Sequence, residues 1–155
     1  MCCLLLFLFT GVVSVTADTV CIALHLPAEA SAEVVIPGNI ISAFEGGIME
    51  PFFDAYHIVF NVRDTGDFSL EDSELERNGV DYVISVDLSF ALPEEGHGVL
   101  IARYTLTRLE STRTIVTGGC SSEEYEHPGG PDSEDLYELQ GRAAAEEMLN
   151  MIKRT

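Results

Sequence analysis

The stretch Gly79–Phe90 (GVDYVISVDLSF) restricts the fold of this chain more than any other. Val80, Tyr82, Ile84, Val86, Leu88 and Phe90 fall on one side of an extended backbone. Asp81, Ser85, Asp87 and Ser89 fall on the other, with Val83 the one apolar residue among them. Period-two alternation of this length specifies a strand with one buried and one wetted face. A parallel-sheet strand covered on both faces would read instead as an unbroken apolar run. The expectation is an α+β domain of two layers, with helices packed on one face of a mixed, mostly antiparallel sheet.

The rest of the chain supplies the other elements. Asp18–Leu26 alternates and reads as a first strand closed by Pro27, with His25 a polar residue on its open face. From Asn39 to Tyr56, apolar residues recur at every fourth position (Ile40, Phe44, Ile48, Phe52, Tyr56), which is helical spacing with Asn39 as N-cap. Gly46-Gly47 and Pro51 interrupt that pattern at a cost of about 1 kcal/mol per Gly and about 3 kcal/mol for Pro. Either the glycines let the helix lie close on the sheet, or the segment is two short helices. Ile58–Val62 reads as a second strand, Asp64–Asp67 as a turn, and Leu70–Asn78 as a polar surface helix capped by Ser69. After the Gly79–Phe90 strand come a turn over 93–98, a strand over Val99–Leu109, a turn at Glu110–Arg113 and a short strand at Thr114–Thr117. These form an antiparallel meander. A loop over Gly118–Ser133 precedes a closing helix that starts at Asp132 or Ser133 and runs to Lys153. Its small residues Gly141, Ala144 and Ala145 imply close packing on the sheet. The order is β-α-β-α-β-β-β-α.

Residues 1–17 are of a different character. Leu4–Val13 is uncharged and apolar, and Val15-Thr16-Ala17 has the form of a small-residue cleavage site. A run this short suits a secretory signal better than a bilayer span, which takes about 20 residues. A buried first strand or core helix is the other reading. No Lys or Arg precedes the run, so either the α-amino group supplies the positive charge or translation starts upstream. The expectation is a signal peptide over 1–17, a single domain over 18–155, and a periplasmic or secreted product with no membrane span in its mature part.

The 155 residues carry a formal net charge of −18, which disfavours nucleic acid and anionic lipid as partners. With 46% hydrophobic residues the charge decorates a folded body rather than a disordered tail. In an oxidising compartment Cys21 and Cys120 could pair as a disulfide or remain free.

Candidate chemistry is sparse. No Gly-x-Ser-x-Gly elbow occurs, and a hydrolase would have to use Cys120 with His127. Glu123, Glu124, Glu126, His127 and Asp132 could offer ligands to Ca²⁺, but they match no EF-hand spacing and read more simply as a solvated acidic loop. No phosphate-cradling motif or cofactor signature is present, so no cofactor is expected. On the wet sheet face, Asp81, Ser85 and Asp87 of one strand should lie beside Arg103, Thr105 and Thr107 of the next, with Arg103 near Asp87 or Ser85. This is either a cross-strand ion pair or a surface that meets a partner.

The element order, together with Asn78–Ser85 (NGVDYVIS) and more loosely Gly141–Ile152, resembles a group of bacterial envelope domains. The group includes the TolB amino-terminal domain, LpoB, FlgO and CsgG. The resemblance implies the same α+β fold and a non-enzymatic role, in which the chain binds other envelope proteins. The alternatives are a small-ligand or Ca²⁺-binding exported protein, or a small hydrolase.

Overall fold

The computed structural model describes residues 17–26, 34–64, 75, 77–92, 97–126 and 133–154. Its elements are β1 (Thr19–His25), α1 (Gly38–Asp54), β2 (Ile58–Asp64), β3 (Tyr82–Ala91), β4 (Val99–Arg108), β5 (Arg113–Ser121) and α2 (Glu134–Ile152). The expected signal segment through residue 16, the turn at 65–67 and most of the helix over 70–78 lie outside the described residues. Of that helix, Leu75, Arg77 and Asn78 are described, the first two helical and Asn78 in a turn, and Gly79 follows with φ +74°.

The strands form one sheet in the order β2-β1-β3-β4-β5. β1 runs parallel to both neighbours, whereas β3, β4 and β5 are an antiparallel meander. The α+β class, the element order and the mixed sheet follow the expectation, and the pairings divide evenly between parallel and antiparallel. The reason is connection length. β1 reaches β2 through α1, which permits a parallel crossover, while short links join the last three strands.

α1 and α2 pack on one face of the sheet. Val20, Ile22, Leu24, Ile84, Val86, Leu100 and Leu106 from the sheet meet Phe44, Ile48, Phe52, Ala145 and Met148 from the helices. Each large aliphatic or aromatic side chain so buried contributes about 1.5–3 kcal/mol.

The structure corrects several sequence expectations. α1 is one continuous helix, and its glycine faces the other helix rather than the sheet. A Cβ on Gly47 would sit 2.9 Å from the Cα of Glu138 on α2. Asn39 does not cap α1. Pro37 holds that position without a side-chain bond, and Asn39 Nδ2 instead donates to Glu134 Oε1 at 3.2 Å, linking the two helices. β5 extends to Ser121, so Gly118, Gly119 and Cys120 belong to the sheet rather than to a loop. Val80 lies ahead of β3 and packs on the opposite face from Tyr82. With Cys21, Leu75, Val83 and Leu109 it forms a second, smaller apolar cluster. One end of the outer face is therefore dry, which accounts for Val83 as the exception in the alternation.

Candidate interaction surfaces

The register brings five of the six predicted outer-face residues together. Asp87 lies opposite Arg103, Ser85 opposite Thr105, and Thr107 opposite Val83; Thr105 is followed across the next pairing by Thr117 of β5. Asp87 and Arg103 are exposed, and Ser85, Thr105 and Thr107 are half-buried. Asp81 has a different task. Its Oδ2 accepts from the Thr19 N–H at 2.8 Å, its own N–H donates to the Thr19 carbonyl at 2.9 Å, and its carbonyl accepts from Leu109 N–H at 3.0 Å. It ties the start of β3 to the start of β1 and to the end of β4.

Glu123 and Glu124 sit in a 3₁₀ turn that follows β5, and Glu126 is exposed just beyond it. His127 and Asp132 lie outside the described residues. Among the described residues no group of three or more His, Cys, Asp or Glu is placed to hold a metal ion.

Cys21 and Cys120 are both buried free thiols, and the sheet separates them. Cys21 belongs to the small outer cluster and Cys120 to the main core on the helix side, so the disulfide considered from sequence has no geometric basis here. Burial pushes the Cys21 thiol up to about 11 and raises that of Cys120. Both shifts run against the low pKa that an activated nucleophile needs.

Other polar groups were not singled out from sequence. Glu45, buried on α1, accepts from Asn61 Nδ2 and from Arg63 Nε at 3.3 Å, and also pairs with Arg63 Nη2. The signal was present in β2, where Asn61 and Arg63 continue the helix-facing side that Val59 begins, a position that demands a polar partner. Tyr104 Oη donates to Glu147 of α2, and desolvation, reinforced by that hydrogen bond, holds its pKa well above the usual tyrosine range. Gln140, fully buried, donates from Nε2 to the carbonyls of Leu100 and Cys120 at 3.1 and 3.2 Å. His57 Nδ1 stands 3.6 Å from Asp18 Oδ2 at the opening ends of β2 and β1.

A further surface lies at the β2 edge. Phe53, Tyr56, Ile58 and Phe60 are exposed by 50%, 83%, 59% and 36%, and they follow one another along the chain where α1 hands over to β2. Among the described residues no helix is long and apolar enough to cross a membrane.

No protein-family model and no curated protein matches the chain. Solved structures do. Lipoprotein GNA1162 from Neisseria meningitidis superposes with a TM-score of 0.52 at 13% identity, over 89% of this chain and 99% of that one. The PelC dodecamer from Paraburkholderia phytofirmans gives 0.51 at 10% identity, over 82% of this chain and 84% of that one. TolB from Acinetobacter baumannii gives 0.47 at 8% identity; the match covers 88% of this chain but only 28% of TolB. The structures that share this fold thus include a bacterial lipoprotein, and at such identities the likeness is one of fold.

Proposed function

We propose that this chain is an exported envelope protein, without catalytic activity of its own, that binds another protein through the outer face of its sheet. The observation that carries this reading is the aligned row of Ser85, Asp87, Arg103, Thr105 and Thr107 on the side away from both helices. It is a broad polar surface on a rigid sheet, suited to a partner with matching hydrogen-bonding groups. The apolar run Leu4–Val13 supports export, and the fold shared with a Neisseria lipoprotein and with PelC is compatible with an envelope setting. The desolvated thiols support a non-catalytic role.

The test joins export to contact. Amino-terminal sequencing of the protein from its own cells should find a product beginning near Asp18 in the envelope fraction. A photo-crosslinking residue at Thr105 should capture one discrete partner there, and the same residue at exposed Asn150 on α2 should not. A full-length cytoplasmic product, or equal crosslinking from both positions, would overturn the reading.

A further inference from the structure

β2 ends the sheet, and among the described residues its outward edge pairs with no strand. Natural edge strands are shielded by lysines, prolines, bulges or covering elements. Ile58–Asp64 contains no Lys or Pro and pairs with β1 in unbroken register. Its one cationic side chain, Arg63, is drawn to the helix side by Glu45. Ile58 and Phe60 remain exposed on its outer face.

The helix stop beside this edge carries a second, independent sign. Tyr56 N–H donates to Phe53 O at 2.9 Å and His57 N–H to Phe52 O at 3.0 Å, the paired bonds of a Schellman motif. That motif needs a left-handed residue, which is ordinarily glycine, yet here Tyr56 adopts φ +64°. A bulky side chain held in a strained conformation and 83% exposed gains nothing in the core. Strain of this kind concentrates where side chains make functional contacts.

Charge selects the occupant. The chain carries −18 overall, and exposed Asp54 and half-exposed Asp18 flank this corner. The nearby arginines are held internally, Arg63 by Glu45 and Arg142 by Glu50 and Glu138. Two copies meeting edge to edge would set −18 against −18, which protects the β2 edge from self-pairing; an oppositely charged strand is attracted instead. We infer that the β2 edge, with Tyr56, Ile58 and Phe60 beside it, receives an extended segment of another protein that alternates apolar and basic residues, adding a strand beside β2 to the five among the described residues. This rests on the reading of the chain as a protein-binding module, but it concerns a different surface and does not depend on export.

The test uses the purified protein and a capped peptide of 7 residues, the length of β2, alternating valine with lysine, beside a counterpart in which glutamate replaces lysine. The lysine peptide should bind at least about tenfold more tightly than the glutamate one and weaken as salt rises toward physiological strength. Backbone amide resonances of residues 58–64 should shift. I58K/F60K should reduce affinity at least about tenfold without altering the circular dichroism spectrum, since both side chains are exposed. Tyr56→Gly should raise the melting temperature by about 2–5 °C while weakening the peptide. Stability and binding moving in opposite directions is a result that a purely structural Tyr56 would not give. The inference is overturned if the lysine peptide fails to bind, if it binds I58K/F60K equally well, or if its shifts fall on Ser85–Thr107 instead. It is also overturned if the protein dimerises through this edge, since the occupant would then be a second copy. Loss of the crosslink at Thr105 with peptide binding intact would sink the outer-face reading alone.

Discussion

Gly47 and Gly141 both lie at the crossing of the two helices, where a Cβ on Gly47 would run into the Glu138 backbone of α2 and one on Gly141 into the backbone of α1. A Cβ on Gly141 would stand 2.9 Å from Ile48 N and 3.2 Å from the carbonyl carbon of Gly47, with the Phe44 carbonyl nearer still. The obstacle is backbone, so it cannot turn aside as a side chain would. Gly141→Ala should therefore destabilise the protein by about 3 kcal/mol or more, despite the better helix propensity of alanine. Neighbouring Gly46 is helical with open space around it, and Gly46→Ala should stabilise by about 0.5–1 kcal/mol. Urea denaturation of the two variants, read as midpoint shifts of opposite sign, checks the crossing.

The Glu45 carboxylate anchors α1 to the edge strand. Its side chain is 9% exposed while Arg63 is 42% exposed, so the acid cannot easily be replaced by water but the base can. Glu45→Gln should cost about 1–2 kcal/mol, and Glu45→Ala somewhat more because Asn61 also loses its acceptor. Burial of the carboxylate implies that the loss changes little with salt, which denaturation at low and high ionic strength would reveal.

Tyr104 covers Gly118 on the neighbouring strand and reaches Glu147 with its hydroxyl. A Cβ on Gly118 would lie 2.6 Å from that oxygen and 2.7 Å from the ring. Tyr104→Phe should cost about 1–2 kcal/mol through the lost bond to a carboxylate. Gly118→Val should cost more, because it drives the ring off the strand and takes that bond with it. The two unfolding midpoints, compared directly, give the order.

Alkaline pH should weaken the fold through Cys21. Its thiol ionises near 9 when exposed and near 11 when buried. Between these values the unfolded chain releases the proton first, so the contribution is complete below about pH 9 and is lost as pH rises toward 11. The full loss is about 2–3 kcal/mol. Burial raises Cys120, Tyr82, Tyr104 and Tyr125 in the same direction, which steepens the fall. Unfolding free energies measured across this window should decline, and Cys21→Ala should decline less.

The local periods were legible without coordinates. Alternation in Asp18–Leu26, Gly79–Phe90 and Val99–Leu109 marked three strands and Ile58–Val62 read as a fourth, although β2 runs on to Asp64, which the sequence placed in a turn; the fourfold spacing from Ile40 to Tyr56 marked α1. The approach of Arg103 to Asp87 or Ser85 was also legible, and the register of the hairpin decides for Asp87. Other features were illegible for a physical reason: they depend on which surfaces meet. Gly118-Gly119 reads as a loop until the Tyr104 ring is known to cover Gly118. Asp81 and Asp87 look equivalent in sequence, yet only Asp81 meets the Thr19 N–H, because β1 pairs beside β3.

By itself the sequence determined the elements, their order and the two-layer class, since the repeat of apolar residues is a property of the chain's own geometry. Tertiary structure alone decided that Gly47 of α1 serves α2 rather than the sheet, that Cys21 and Cys120 lie on opposite faces, and that among the described residues β2 is left at an edge with Ile58 and Phe60 exposed. Each of these depends on contacts between residues distant in the chain, and a local pattern carries no record of what will pack against it.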